Sequence, residues 1–372
     1  MRVVIVGSGL GGVETARALQ ERGFDGELVV LGEETESPYD RPPLSKHVLR
    51  GEREPFRLLP ADHRIDLRLG VRATGLDVDR RVVTTDQGDE PYDALVLATG
   101  ASPRRLPGRP GLVLRTLADS LALREALVEG TRLVVVGAGL IGCEVGASAR
   151  ALGCEVALVD ALPVPCMRVL GPVVGERVAD LHRDHGVVLH LGVGLASVGQ
   201  GEAVLTNGTR LPFDVLLEAL GAAPTVEWLG SSGMPVDDGV LCDAAGRTDV
   251  PGIWALGDVA RWDGVRVEHW TSAVDQAAVV AAGVLGTVEP LDTVPYWWSE
   301  QYDLRLQGLG LVHPDDDVQV VTTGTRRRDV ALYSREGLLS AVVGFSASAA
   351  VTRLRQAVAD RLPLEQVLAS LG

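Results

Sequence analysis

Two glycine-rich turns, each directly behind a short apolar run, constrain this 372-residue chain more than any other feature. The first is Gly7-Ser8-Gly9-Leu10-Gly11-Gly12 after Val3 to Val6, and the second is Gly137-Ala138-Gly139-Leu140-Ile141-Gly142 after Leu133 to Val136. Both apolar runs read as buried parallel strands. Helical spacing follows each turn, through Val13, Ala16 and Leu19 in one case and Val145, Ala149 and Leu152 in the other. In such a unit the glycines permit the tight turn, let a pyrophosphate approach the backbone, and let helix pack on strand. The helix start adds N–H groups and the positive end of its dipole. One such turn arises by chance. Two in the same setting predict two dinucleotides on one chain, the layout of a redox relay.

Each unit continues to a candidate ribose ligand. The strand Glu27 to Leu31 is followed by Gly32 and Glu33, and the strand Glu155 to Val159 ends at Asp160. An acid about 20 residues past the first glycine accepts hydrogen bonds from ribose hydroxyls. Asp160 would also repel a 2′-phosphate, and no arginine directly follows it, so NADH is favoured over NADPH. The plainer alternative for Asp160 is a solvated strand end.

Further strands are expected at Ala94 to Leu97, ending in Ala98-Thr99-Gly100, and at Val215 to Leu217, ahead of Gly221. A third closes on Gly257-Asp258. Pro103, Pro107 and Pro110 with Gly108 and Gly111 read as a linker. Beyond about residue 288 the texture changes. Tyr296, Trp297, Trp298 and Tyr302 cluster, strands follow at Val318 to Thr322 and Val330 to Tyr333, and an amphipathic helix is predicted over Ala349 to Ala359. The predicted fold class is α/β, with two Rossmann-like dinucleotide-binding domains and a C-terminal α+β domain.

The formal charge of −15 argues against binding nucleic acid or anionic membranes. No run of about 20 apolar residues is present to span a bilayer. Met1 leads straight into a strand, so no signal peptide is expected and a cytoplasmic location is inferred. Cys143, Cys154, Cys166 and Cys242 form neither a CxxC motif nor a metal-ligand spacing, so they read as reduced thiols, Cys143 as helix packing, and no metal is expected. Of 35 basic residues only Lys46 is a lysine, which suggests a site needing a compact ammonium or else mere sampling.

Tyr39-Asp40-Arg41-Pro42-Pro43-Leu44-Ser45-Lys46 resembles the signature loop of the oxygenase-coupled, NADH-dependent ferredoxin reductases, which are FAD proteins. Other landmarks agree in order: Ala98-Thr99-Gly100, the second fingerprint with Glu144, Thr248 through Asp258, Glu268-His269-Trp270, and Trp298-Ser299-Glu300-Gln301. The resemblance spans nearly the whole chain. It implies a glutathione-reductase-like architecture: a discontinuous FAD domain over residues 1–110 and 243–287, an NADH domain over 111–242, and a C-terminal interface domain over 288–372.

By the same resemblance Gly7, Gly9 and Gly12 cradle the FAD pyrophosphate, Glu33 takes the adenosine ribose, and Asp258 binds nearby. Arg41, Pro42, Ala98, Gly100, Arg104 and Gly257 line the FAD, and Trp298 packs beside its ring. Taken alone, Arg41 and Arg104 would be surface arginines, Asp258 a helix cap and Trp298 a domain-core aromatic. NADH would use Gly137, Gly139, Ile141, Gly142, Asp160 and Gly221. Lys46 pairs with Glu144 near the flavin in that family, where a fixed cation favours charge arriving on the ring. The two are the implied catalytic residues.

The implied reaction passes electrons from NADH through tightly bound FAD to a small iron–sulfur ferredoxin that feeds a haem monooxygenase or ring-hydroxylating dioxygenase. Arg326, Arg327 and Arg328 are one candidate docking patch for it, a solvated turn being the alternative. A monomer or homodimer is expected. Rubredoxin reductase, NADH oxidase and flavin-binding redox sensor remain the alternatives.

Overall fold

The computed structural model describes residues 1–59, 65–108, 111–323 and 328–371. The chain divides into two compact units. One holds Met1–Asp40, Phe56–Ser102 and Ala222–Thr293, and the other holds Arg41–Pro55, Pro103–Gly221 and Val294–Gly372. Four stretches therefore sort differently from the ranges inferred above. Residues 222–242 and 288–293 fall with the first fingerprint, and the loop carrying Lys46 and the stretch from Pro103 to residue 110 fall with the second.

The first unit is built on a five-stranded parallel sheet, in spatial order Ile253–Ala255, Ala94–Leu97, Arg2–Val6, Glu27–Gly32 and Asp66–Leu69. Its three central strands are short apolar runs buried on both faces, as a covered parallel sheet requires, while the edge strand Asp66–Leu69 is partly exposed. Val3, Val4, Ile5, Val29, Leu95 and Val96 have no exposed surface. The helix Leu10–Glu21 contributes the buried Val13, Ala16 and Leu19, and the helix Trp270–Val284 contributes Ala277, Val280 and Ala281. An antiparallel meander, Ala73–Asp77, Val82–Thr85 and Gly88–Pro91, lies in sequence between the strands Asp66–Leu69 and Ala94–Leu97.

The second unit repeats that plan. Its parallel sheet runs Val188–Leu191, Glu155–Asp160, Arg132–Val136 and Val215–Glu218. A meander at Leu195–Gly199, Glu202–Leu205 and Arg210–Pro212 stands in the corresponding place. Onto this is added a five-stranded antiparallel sheet, ordered Tyr296–Gln301, Leu304–Gly310, Leu338–Phe345, Arg328–Arg335 and Asp317–Thr323. The added sheet does not form a wholly separate core. Trp297, Leu306 and Tyr333 pack into one cluster with Leu133, Val145 and Leu158, and the Tyr333 hydroxyl donates to the Leu170 carbonyl at 2.7 Å.

The helix predicted over Ala349 to Ala359 is broken into Ser348–Arg353 and Arg355–Ala359. At the break the Leu354 amide is shared between the carbonyls of Ala350 and Val351, both at 3.1 Å, a tightened turn that keeps Val351, Leu354 and Val358 buried. A third helix, Leu364–Leu371, follows. The helix Met167–Asp184 bends at Gly171, which has φ +68° ahead of Pro172. Among the described residues no helix is long and apolar enough to cross a membrane, and no cluster of His, Cys, Asp and Glu could hold a metal.

Candidate functional site

The first fingerprint is a turn that side chains cannot enter. Gly7 stands at φ +116°, and a Cβ there would lie 2.1 Å from the Ala98 carbonyl oxygen. A Cβ on Gly12 would lie 1.9 Å from the Gly7 carbonyl oxygen, so helix and turn touch through bare backbone. Gly9 differs: it caps the helix Leu10–Glu21 in an extended conformation, and nothing lies within 4 Å of the place its Cβ would take. No side chain caps that helix and no acid sits in its first turn. An open, uncapped helix start is the arrangement a pyrophosphate fits.

The second fingerprint has the same geometry. Gly137 is at φ +105° with a Cβ that would meet the Ala219 carbonyl oxygen at 2.2 Å, and a Cβ on Gly142 would meet Gly137 at 2.1 Å. Gly139 is open and uncapped like Gly9. Ile141 is 46% exposed on the first turn of its helix, where a ligand could cover it.

The two candidate ribose acids are held differently. Glu33 is exposed and pairs with Arg72. Asp160 instead accepts from the Ala138 amide at 2.7 Å and from the Leu162 amide at 2.8 Å, tying the strand end to the fingerprint turn itself. Its carboxylate is thus part of the turn's construction. Its remaining lone pairs can still accept from hydroxyls.

The signature loop brings its lysine to the second unit's helix. Pro42 and Pro43 start a short 3-10 turn, Pro42–Ser45, that delivers Ser45 and Lys46 into the interior. Lys46 Nζ lies 2.7 Å from Glu144 Oε2 and donates to the Pro42 carbonyl at 3.0 Å. Ser45 Oγ donates to the same Glu144 oxygen at 2.5 Å, and Ser299 Oγ donates to Glu144 Oε1 at 2.6 Å. Lys46, Glu144, Ser45 and Ser299 are all buried. Ser148, one turn beyond Glu144, donates to the Ser45 carbonyl at 2.7 Å and anchors the loop. A buried ion pair is tolerated only when its remaining valences are met in this way.

The other expected residues take the following places. Arg41 donates to the Arg115 carbonyl at 2.7 Å. The Arg104 amide donates to the Gly221 carbonyl at 2.9 Å, and Gly221 has φ +82° with open space at its Cβ position. The Ala98 amide extends the ladder to the Val6 carbonyl at 2.8 Å, and the carbonyl of Gly100, at φ +70°, accepts from the Thr225 amide at 3.0 Å. Gly257, also at φ +70°, donates its amide to the buried Gln276 Oε1 at 2.7 Å. Asp258 lies inside the 3-10 turn Gly257–Val259 and does not serve as its cap. His269, beside Asp258, keeps a buried Nδ1 with no hydrogen-bond partner, and burial pulls its imidazole down to about 4. That orphan atom is a second place where a bound polar group fits.

Trp298 stacks on Tyr296 with centroids 6.2 Å apart, while Trp297 is the core residue of the three. Arg328 begins a strand, and Arg326 and Arg327 lie outside the described residues. The cysteines are free, and Cys143 Sγ lies 3.9 Å from Cys166 Sγ, a proximity that their separation in sequence does not reveal.

Ser45 and Ser299 lie within the motifs quoted above, yet nothing in those motifs marks their grip on Glu144. The buried His182, bonded to Gln301 at 3.0 Å, is equally unmarked. No local pattern marks any of these partners.

A reductase built on two dinucleotide turns with a buried lysine–glutamate pair is the class these features define. Residues 1–277 match the model of the pyridine nucleotide-disulphide oxidoreductase family, and residues 296–370 match the reductase C-terminal model. The chain is 39% identical to rhodocoxin reductase of Rhodococcus erythropolis over 84% of this chain and 78% of the relative. It is 35% identical to putidaredoxin reductase of Pseudomonas putida over 98% and 93% of the two chains. A solved covalent putidaredoxin reductase–putidaredoxin complex is similar to it with TM-score 0.92 and 32% identity, over 100% of this chain and 98% of that one. The chain belongs to the pyridine nucleotide-disulphide oxidoreductase family and, within it, to the ferredoxin reductases of oxygenase systems.

Proposed function

We propose that this protein is an NADH-preferring, FAD-dependent reductase that passes electrons singly to a small iron–sulfur ferredoxin supplying a haem monooxygenase or ring-hydroxylating dioxygenase. The buried Lys46–Glu144 pair carries this reading. The family resemblance implies a reactive cysteine in this segment for an NADH oxidase or peroxidase, whereas here Ser45 and Lys46 stand there and Lys46 pairs with Glu144 at 2.7 Å. Electrons then leave for an external acceptor.

In this reading Gly7, Gly9 and Gly12 hold the FAD pyrophosphate and Glu33 its ribose, with Arg41, Pro42, Ala98, Gly100, Arg104, Gly257, Asp258 and Trp298 completing the FAD site. Gly137, Gly139, Ile141, Gly142, Asp160 and Gly221 bind NADH. FAD is assigned to residues 1–110 and 243–287, NADH to 111–242, and the acceptor to 288–372. Bound FAD supplies the conversion of a hydride donor into single-electron deliveries. Lys46 provides a fixed, desolvated positive charge that favours electron arrival. Glu144 keeps that ammonium in place, and Ser45 and Ser299 fix the carboxylate. A cytoplasmic protein acting as monomer or homodimer is proposed.

The test is anaerobic mixing of the purified holoprotein with NADH or NADPH, followed by ferredoxin. Flavin bleaching faster with NADH, then reoxidation by ferredoxin, is expected. Lys46→Arg should slow bleaching by about tenfold, because a forked guanidinium cannot replace a compact ammonium at this site. Failure of every iron–sulfur acceptor to reoxidise the flavin would replace this reading with that of a redox sensor.

A further inference from the structure

Glu144 does not end at Ser299. Ser299 Oγ lies 3.3 Å from Gln301 Nε2, Gln301 Oε1 lies 3.0 Å from His182 Nε2, and His182 Nδ1 lies 3.0 Å from the Tyr302 hydroxyl. Ser299, Gln301 and His182 have no exposed surface. Tyr302 is half-buried, held at φ +56°, and stacked on exposed His185 with centroids 3.6 Å apart. These groups come from three separate stretches: the helix Leu140–Ala151, the end of the helix Met167–Asp184, and the strand Tyr296–Gln301 with the residue after it.

The donors in this chain can point only one way. An ionised carboxylate accepts and never donates, so the Ser299 hydroxyl must give its proton to Glu144. Ser299 Oγ then accepts from the Gln301 amide. The Gln301 carbonyl oxygen is left to accept, so His182 carries its proton on Nε2. Nδ1 of that neutral ring accepts from Tyr302. Each step leaves one assignment open to the next, and every dipole along the chain aims its positive end at Glu144.

We propose that Ser299, Gln301, His182 and Tyr302 form one directional hydrogen-bond chain that holds the Glu144 carboxylate as the acceptor-only partner of Lys46, and so act as positioning residues for the reductase reaction. The proposal rests on the role given to Lys46 and Glu144 above. Burial favours the neutral His182 that the chain requires, lowering its imidazole to about 4 although the Gln301 hydrogen bond pushes the other way, with His185 adding a smaller push downward. The break in the helix at Gly171 re-aims the last turns that carry His182. Aligned bonds in a buried setting reinforce one another, which gives remote Tyr302 and His182 an effect on the carboxylate.

The test uses the FAD-loaded protein and two readouts. In stopped-flow reduction by NADH, Ser299→Ala should slow flavin bleaching by about tenfold, the worth of a hydrogen bond to a charged group. Ser299→Thr, which keeps the hydroxyl, should restore most of the rate, and Gln301→Leu should slow it about threefold. In a Glu144→Gln background Ser299→Ala and Gln301→Leu should have less than about half that effect on a logarithmic scale, because they act through the carboxylate. Separately, 15N-resolved imidazole spectra should show His182 neutral and protonated on Nε2 between pH 6 and 8, with that signature lost in Gln301→Leu.

Full slowing in both backgrounds, or none in either while Glu144→Gln is slow, overturns the proposal. So does a His182 that is protonated on Nδ1. If Glu144→Gln itself reduces at the wild-type rate, the role given to the ion pair falls, and the imidazole spectrum alone then decides whether the directional chain exists.

Discussion

Gly7 and Gly137 stand at φ +116° and +105°, and the helices behind them begin from Gly9 and Gly139 in the same extended conformation. Both helices are 12 residues long. The ladders agree residue for residue: the Gly7 amide bonds Leu31, and the Gly137 amide bonds Val159. By that register Gly32 is the counterpart of Asp160, and Ser8 of Ala138. The difference lies there. In the second unit the strand-end carboxylate bonds the fingerprint amide of Ala138. In the first, glycine stands at that position, Ser8 Oγ fills the space its Cβ would take, and the acid falls one residue later on the surface. One architecture has thus been given a turn braced by its acid and a turn that leaves its acid outside.

The glycines give the largest effect and separate the two turns by cofactor. Gly12→Ala places a Cβ 1.9 Å from the Gly7 carbonyl oxygen, which the turn can relieve only by opening. The purified variant is expected to lose most of its flavin, read as the flavin-to-protein ratio. Gly142→Ala, with its Cβ at 2.1 Å, should keep full flavin and lose reduction by NADH at least a hundredfold. Loss of flavin from Gly142→Ala, with none from Gly12→Ala, would reverse the assignment of the two turns.

The next effect belongs to the second unit alone. Lys46→Met strips the buried Glu144 of its cation and leaves it only hydroxyl donors, so stability should fall by about 3–5 kcal/mol. Arg72→Met removes the exposed partner of Glu33 and should cost less than about 1 kcal/mol. Equal melting temperatures for the two variants would contradict the burial difference between the ion pairs.

How much of this could be read beforehand depends on sequence distance. The glycine turns, their strands and the helices behind them are local patterns, and the structure places them as the periodicity requires. Lys46 and Glu144 are 98 residues apart, and it is the family resemblance of the two motifs carrying them, not any local pattern, that implies their pairing. Ser299 reaches Glu144 over 155 residues and His182 reaches Gln301 over 119, and a serine, a glutamine or a histidine on a buried face carries no mark of its partner. The spacing to the two acids is instructive. Turns of residues 22–26 and 152–154 join helix to strand in the two units, and Glu33 lies one position past Gly32. Together these account for the longer interval in the first unit. The interval alone concealed that the acids are not structural equivalents.

Histidine burial gives a third contrast, through pH. His182 in the second unit is lowered to about 4 chiefly by burial, with both ring nitrogens bonded. His269 in the first is also lowered to about 4 by burial, with Nδ1 unpartnered. An unfolded imidazole takes its proton near pH 6.5, so between about 6.5 and 4 the unfolded chain binds more protons and stability falls as pH falls. For fully buried His182 the loss approaches about 3 kcal/mol by pH 4. His182→Phe should flatten the fall in unfolding midpoint across that window, below which carboxylates such as Asp214, held near 2 by Arg132, take over. An unchanged slope in His182→Phe would mean that His182 is protonated in the native state.

The smallest effects test the acids themselves. Asp160→Asn keeps one oxygen for the Ala138 or Leu162 amide but turns an NH2 toward the other, so one buried N–H loses its acceptor. Stability should drop by about 1–2 kcal/mol, and the Kd for NADH should rise because the turn that holds the pyrophosphate loosens with it. Discrimination against NADPH should shrink at the same time, since the negative charge is gone. Glu33→Gln removes only an exposed ion pair and should change stability by less than about 0.5 kcal/mol. It should lower FAD retention modestly, through the ribose contact alone. Titrating NADH and NADPH against both variants separates the cases. If Asp160→Asn weakens NADH binding with no loss of stability, the carboxylate serves the ribose and not the turn. If it costs stability with NADH affinity intact, the carboxylate serves the turn and the specificity for NADH must come from elsewhere on the Glu155–Asp160 strand end.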